Sequence, residues 1–154
     1  MKLAVIAVGR LKERFWREAE EEYRKRLLPH ASLSVEEVRD EPDTGPAARV
    51  LAAEGARIAE RLQERDYVIA LDIDGSRFSS ELFAKKVAAV AGMGHSRIVF
   101  IIGGSRGLAP DVLRRSDLRL SFSDFTFPHQ MMRIILLEQV YRAFTIMSGA
   151  KYHK

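Results

Sequence analysis

A histidine and an arginine lie one helical turn apart near the end of the chain, just after a hydroxyl-rich aromatic segment. Both belong to FSDFTFPHQMMRIILLEQ, residues 122–139, in which Pro128 marks a helix start. The N-terminal end of a helix disfavours an imidazolium, so His129 should stay neutral and able to accept a proton. Arg133 is costly to bury unless an anion or a carboxylate meets it. The pair could supply a base and an anion-binding group, although a helix-start histidine can also simply bond a nearby carbonyl.

A glycine-rich turn, GGSRG at residues 103–107, is a second candidate for ligand binding. Glycines at 103, 104 and 107 are expected to bend the backbone at positive φ and to let it approach a ligand closely. The turn matches neither a P-loop nor the G-x-G-x-x-G dinucleotide fingerprint. Because it has no lysine to meet β- and γ-phosphates, it suits a nucleoside-like ligand better than a triphosphate. A purely structural tight turn is the alternative.

These segments follow strands in a regular alternation of strand and helix. Apolar runs predict buried strands, and stretches with apolar residues on one face predict helices. The predicted strands cover residues 2–8, 33–38, 67–73, 97–104 and 118–122, with the third closed by an Asp74-Gly75 turn. The predicted helices cover residues 13–27, about 16 residues from Ala47, a segment capped by Ser79 or Ser80, a short segment near Pro110, and residues 128–149. Such alternation predicts one α/β domain, residues 1–154, with a parallel sheet covered by helices on both faces.

Ligands of open α/β sheets bind beyond the carboxyl ends of the strands. Three segments are predicted to meet there: Leu71-Asp72, GGSRG and FSDFTF. The sequence therefore predicts a small-molecule site between these three loops.

Composition narrows the possible chemistry and the possible partners. The 154 residues include no cysteine, which excludes disulfides, thiolate zinc sites and a cysteine nucleophile, and no convincing metal site is visible. The N-terminal apolar run is too short for a signal peptide and no stretch is long enough to span a membrane, so a cytoplasmic protein is expected. Residues 97–154 contain nine Lys/Arg against four Asp/Glu. This basic third suggests a polyanionic partner, or a surface that is merely basic.

The last helix is apolar around most of its circumference. One face can pack on the sheet, and a second apolar face indicates a deep core position or a partner subunit. The interface positions expected from the sequence are Ile135, Val140 and Phe144. The tail AKYHK, residues 150–154, would be frayed in most proteins.

Three motifs carry a family resemblance that spans the whole chain: FIIGGSRGL, LSFSDFTFPHQMMRIILLEQVYRAF and the terminal YHK. With them the sequence resembles the small SPOUT-class methyltransferases, and in particular the bacterial family that methylates N3 of a pseudouridine in 23S ribosomal RNA. The resemblance implies a deep trefoil knot in the C-terminal part of the sheet, S-adenosylmethionine as the cofactor and a homodimer. It also implies that assembled ribosomes are the substrate. No metal ion and no membrane partner are expected.

The resemblance also assigns roles to individual residues. It implies that His129 or His153 acts as the general base, and that Arg133 or Tyr152 orients the base or stabilises developing negative charge. It implies that the cofactor is held, mostly through backbone groups and apolar contact, by a set in which Asp124 has no separate role: Leu71, Gly103, Phe122, Ser123, Asp124, Phe125, Thr126 and Phe127.

Two other functions remain open from the residues alone. A flavodoxin-like or other nucleotide-binding protein shares the strand–helix alternation, but it needs a phosphate-binding loop after the first strand, where VGRLKERF is poor in glycine. A non-catalytic RNA-binding or ribosome-binding module would explain the basic third, but it leaves the GGSRG and FSDFTF loops without a purpose.

Overall fold

The computed structural model describes residues 1–154 as five strands and five helices in alternation. The strands are β1 Lys2–Val8, β2 Ser32–Val38, β3 Asp66–Arg77, β4 Arg97–Ile102 and β5 Leu118–Ser121. The helices are α1 Arg14–Leu27, α2 Ala47–Ala59, α3 Ser80–Ala91, α4 Pro110–Arg115 and α5 His129–Met147. None of these helices is long and apolar enough to cross a membrane.

All five strands join one sheet in the order β2-β1-β4-β3-β5, and every neighbouring pair is parallel. The α/β class with a parallel sheet is therefore confirmed. The central strands β1 and β4 are almost continuous apolar runs because both of their faces are covered. Their carboxyl ends, Val8 and Ile102, lie at the same edge of the sheet.

The sheet separates two hydrophobic cores. Alternate residues of β1 face opposite sides: Leu3, Val5 and Ala7 belong to the larger core, and Ala4, Ile6 and Val8 to the smaller one. The larger core is completed by α1, α3 and α5, and the smaller one by α2 and α4. This layering fixes the start of α5 beside the carboxyl edge of the sheet.

The third strand is longer than the sequence suggests. The Asp74-Gly75 pair indicated a turn that closes the strand, but this prediction is wrong, because β3 continues to Arg77. An irregularity between Leu71 and Ser76 bends the strand, which then pairs with β5 again. A Cβ on Gly75 would lie 2.6 Å from the carbonyl carbon of Arg119, so only glycine permits this close approach.

The last helix begins and ends as its sequence predicts. Pro128 is the residue before α5, and Gly149 follows it with φ of +70°, the left-handed conformation of a glycine cap. The face that packs on the sheet belongs to the larger core and includes Leu136, Leu137 and Ala143. The α5 helix therefore places His129 at the carboxyl edge and its own C-terminal end far from it.

Candidate functional site

A cavity with a volume of about 690 Å³ lies at the carboxyl edge of the sheet. The bent part of β3, the loops after β4 and β5 and the first turn of α5 form it together. The lining residues are 71–73, 102–108, 120–123, 125–129 and Met132. The three segments that the sequence places at this edge do meet and line one cavity, with Leu71-Asp72 as part of the bent strand β3 instead of a loop.

Most of the residues expected to hold a cofactor line this cavity. They are Leu71, Gly103, Phe122, Ser123, Phe125, Thr126 and Phe127, together with His129 from the expected catalytic set. Asp124 is absent from the lining, because its carboxylate is exposed and pairs with Arg77.

The glycine turn differs in one respect from the sequence-based expectation. Only Gly107 has a positive φ, of +82°, whereas Gly103 and Gly104 do not. A Cβ on Gly103 would lie 2.7 Å from the carbonyl carbon of Gly107, so the missing side chain lets the turn close on itself. The turn is held by the amide of Gly107, which donates to the carbonyl oxygen of Gly104 at 3.1 Å. Glycine is thus required at 103 by the turn itself.

The opposite wall of the cavity is a loop that its own hydroxyl groups organise. Ser121 Oγ donates to the carbonyl oxygen of Ser123 at 3.1 Å, and Ser123 Oγ accepts from the amide of Phe125 at 3.1 Å. These bonds hold the loop in a shape that leaves the ring of Phe125 78% exposed. Between this wall and the glycine turn, Leu71, Ile102 and Leu120 supply apolar surface.

His129 reaches the cavity from the first turn of α5. Its ring makes no hydrogen bond to the protein, so the alternative of a histidine bonded to a nearby carbonyl does not hold. Burial lowers the pKa of His129, and the positive charge of Arg133 lowers it further, against smaller opposing effects of Asp40 and Glu54. The imidazole is therefore neutral at pH 7, as expected, with burial as the main cause.

Arg133 is buried, at 2% exposure, between α5 and neighbouring elements of the fold. Its Nη1 donates to Glu37 Oε2 at 2.9 Å and to Glu20 Oε2 at 3.3 Å, and its Nη2 donates to the carbonyl oxygen of Gly9 at 3.2 Å. Its Nε has no partner. Arg133 does not line the cavity. The negative charge expected to accompany a buried arginine comes from two carboxylates of the same chain and not from a ligand.

The tail is ordered against the C-terminal half of α5. His153 Nδ1 lies 3.2 Å from Arg142 Nη1, and Nε2 lies 2.7 Å from Glu81 Oε1, a contact that lowers the pKa of Glu81 to about 2. Tyr152 donates to Glu138 Oε1 at 3.3 Å and packs edge-on against a neighbouring tyrosine ring. The expectation of a frayed tail, drawn from most proteins, does not apply.

The structure does not bring the two expected catalytic pairs together within one chain. His129 lies at the start of α5, and Arg142, which contacts His153, lies 13 residues later. At about 1.5 Å per residue these positions are roughly 20 Å apart along the helix. Neither Tyr152 nor His153 lines the cavity.

One buried acidic residue next to the site was not identified from the sequence. Glu54 is only 4% exposed, and burial raises the pKa of its carboxyl group. Its Oε2 accepts from the amide of Glu41 at 3.1 Å, its Oε1 has no partner, and a Cβ on Gly104 would lie 3.4 Å from both oxygens. Its spacing from Leu51 and Ile58 on the inward stripe of α2 was the signal that could have revealed it.

Comparison with known proteins agrees with this geometry. A model of the family described as "Predicted SPOUT methyltransferase" matches residues 1–153. The chain is 47% identical to a protein of Limosilactobacillus reuteri and 48% identical to proteins of Levilactobacillus brevis and Carboxydothermus hydrogenoformans, with every chain covered over its full length. All three relatives are named "Ribosomal RNA large subunit methyltransferase H".

Proposed function

The chain belongs to the SPOUT methyltransferase family, and from that premise we propose that it methylates N3 of a pseudouridine in 23S ribosomal RNA of assembled ribosomes, with S-adenosylmethionine as the methyl donor. Residues 1–154 would form one catalytic unit in the cytoplasm. The observation that carries the proposal is the cavity in which the glycine turn, the 122–127 loop and a neutral His129 meet.

The residues of the cavity fit this cofactor. A volume of about 690 Å³ is within the range of small-molecule sites. The apolar side chains of Leu71, Ile102 and Leu120 would contact the flat purine, and the backbones of the glycine turn and of residues 122–127 would bond the polar groups. When bound, S-adenosylmethionine supplies an electrophilic methyl group on a sulfonium. The protein then has to position an RNA nucleophile in line with it.

His129 has the properties of the group that takes the proton from N3. Its ring lines the cavity, is neutral at pH 7 and has both nitrogens free of protein partners. Arg133, fixed by Glu37 and Glu20 one turn further along α5, would act through His129 by holding the helix in place and favouring the neutral imidazole. This is a positioning role, because Arg133 does not reach the cavity.

A homodimer would bring the tail to the site. Since Tyr152 and His153 are roughly 20 Å along α5 from His129 in their own chain, the tail can approach a cavity only in a second copy. The interface positions expected from the sequence need one correction, because Val140 and Phe144 are buried in the core of their own chain. Ile134 and Ile135 are only partly covered, and Met131 is exposed, so these positions would form the interface. The trefoil knot stays a prediction of the family resemblance.

The test is transfer of a labelled methyl group from S-adenosylmethionine to intact ribosomes, separated subunits and free ribosomal RNA, followed by mapping of the modified base. We expect one modified pseudouridine in intact ribosomes and little label in free RNA. Heat of S-adenosylmethionine binding in a calorimeter distinguishes an enzyme from a binding module. Label on another base, or no heat and no label, would refute the proposal.

A further inference from the structure

A basic segment leaves the carboxyl end of β1 and runs into the first turn of α1. Residues 10–17, RLKERFWR, contain four basic side chains and one acidic one, a net charge of +3. Arg10 and Lys12 are exposed and take part in no ion pair. Arg14 pairs only with Glu18, and both of these side chains are largely exposed. These cations are free to meet a polyanion.

The shape of this segment is fixed before any partner binds. Leu11 is buried in the protein and anchors the segment between the two free cations. Arg17 Nη1 donates to the carbonyl oxygens of Leu11 and Lys12, the former at 3.1 Å. Gly9, with φ of +88°, donates to the carbonyl oxygen of Val38 at 2.9 Å. A partner would therefore meet a preformed surface, which reduces the entropy lost on binding.

An aromatic ring stands on the same surface. Phe15 is 59% exposed, which is unusual for a phenylalanine surrounded by charges. Its ring is tilted against that of Trp16, with centroids 4.9 Å apart, so it has a supporting neighbour while more than half of the residue stays accessible to solvent. An exposed ring among free cations is the combination with which proteins hold unpaired nucleotides, because bases stack on the ring and phosphates meet the cations.

The segment begins beside the proposed methyl-transfer site. A Cβ on Gly9 would lie 3.9 Å from Nε2 of His129, and the carbonyl oxygen of Gly9 accepts from Arg133 at 3.2 Å. Arg10 follows directly. The middle of α1 carries Glu18 and residues 20–22, all glutamate, which would repel phosphate and which separate this segment from the basic residues 24–26 at the far end of the helix. The usable surface is thus limited to the part of α1 nearest the cavity.

We propose that residues 10–16 form a docking surface for unpaired RNA nucleotides that flank the target base, with Arg10 and Lys12 on phosphates and Phe15 stacked on a base. This inference rests on the proposed function and gives the RNA a path to His129. The free cations and the exposed ring favour RNA as the partner, because phosphates pair with cations and bases stack on rings. A ribosomal protein would have only the single exposed ring of Phe15 to pack against.

Four single variants test the surface, two of them as matched controls at the opposite end of α1. Lys12→Ala and Phe15→Ala remove a free cation and the open ring. The controls lie at the far end of α1. Lys25→Ala removes a cation that has no ion pair, and Leu28→Ala removes an apolar side chain that is 74% exposed. The readouts are co-sedimentation with intact ribosomes, the KM for ribosomes, kcat and the Kd for S-adenosylmethionine.

Lys12→Ala and Phe15→Ala should each weaken ribosome binding and raise the KM about 10-fold, with kcat and cofactor Kd unchanged. Lys12→Ala should also reduce the slope of log K against log salt by about one, while Phe15→Ala leaves the slope as it is. The two control variants should behave as wild type. Wild-type binding by Lys12→Ala and Phe15→Ala, or equal losses in the controls, would overturn the inference.

Photocrosslinking identifies the partner. A benzophenone amino acid placed at position 15 should crosslink to ribosomal RNA in intact ribosomes. Crosslinks to a ribosomal protein alone would overturn the assignment to RNA. Co-sedimentation and crosslinking need no methyl transfer, so they test the surface even if the target base proves to be a different one. Conversely, normal ribosome binding and normal methylation by Phe15→Ala would overturn the docking surface but leave the proposed function standing.

Discussion

Replacing Arg133 with methionine tests whether this side chain is primarily a structural cation. Methionine keeps much of the length and the apolar contact but removes hydrogen bonds to Glu20, Glu37 and Gly9. Breaking a buried ion pair on one side costs about 3–5 kcal/mol, because the remaining charges lose their partner. The side chain of Glu37 is 39% exposed, so water partly compensates it. We therefore expect a loss near the lower end, about 3 kcal/mol.

Urea unfolding measures this loss. With a slope of about 2 kcal/mol per molar for a protein of this size, the midpoint should fall by about 1.5 M. Arg14→Met is the matched control, since it breaks an exposed pair with Glu18 and should change stability by less than about 0.5 kcal/mol. Adding Glu37→Gln to Arg133→Met should recover part of the loss, because it removes one unpaired charge.

The functional side of the same variant separates two explanations. Because Arg133 does not line the cavity, the folded variant should bind S-adenosylmethionine as wild type does. A midpoint within 0.5 M of wild type in urea, combined with a lost cofactor affinity, would refute the reasoning. Arg133 would then act directly on the ligand.

Three further predictions concern the site and the assembly. His129→Ala should lower kcat by about two to three orders of magnitude with little change in cofactor Kd, measured by single-turnover methylation and calorimetry. Because burial and Arg133 lower the pKa of His129, the wild-type rate should fall on acidification with a midpoint below the ordinary histidine pKa of about 6.5, and a midpoint near pH 7.5 would contradict the assignment. Truncation after Ala150 should leave folding and cofactor affinity intact but reduce ribosome methylation about 100-fold, and an undiminished rate would place all catalysis on the His129 side. Ile135→Glu should give a folded monomer in light scattering, whereas Val140→Glu should unfold the chain, and a wild-type monomer would exclude the dimer.

Local patterns predict most of the fold but not its long-range pairings. The runs in β1 and β4 are apolar because both faces are buried, and this makes a parallel sheet readable from the sequence. The extension of β3 was not predictable, since the Asp74-Gly75 pair is typical of a turn, and only the approach of Arg119 makes it part of a bent strand.

The candidate site divides in the same way. The rule that ligands bind at the carboxyl edge brings Leu71, Gly103 and the 122–127 loop together without any knowledge of side-chain contacts. The partners of Arg133 could not be read from the sequence, because Glu37 and Glu20 lie 96 and 113 residues away along the chain. Glu54 was overlooked for a different reason, since a glutamate is ordinarily a surface residue, even in a helix as rich in alanine as α2.

The bond between Arg133 and Glu37 also limits how early the N-terminal part of the chain can finish folding during synthesis. Glu37 is added to the growing chain 96 residues before Arg133. At about 5–20 residues per second, the carboxylates at the end of β2 and on α1 wait roughly 5–20 s for their cation. Strand β1 likewise has only β2 beside it until β4 is made. The first third of this protein thus reaches its native packing only when the last helix has been made. Until then the growing chain is accessible to chaperones and proteases.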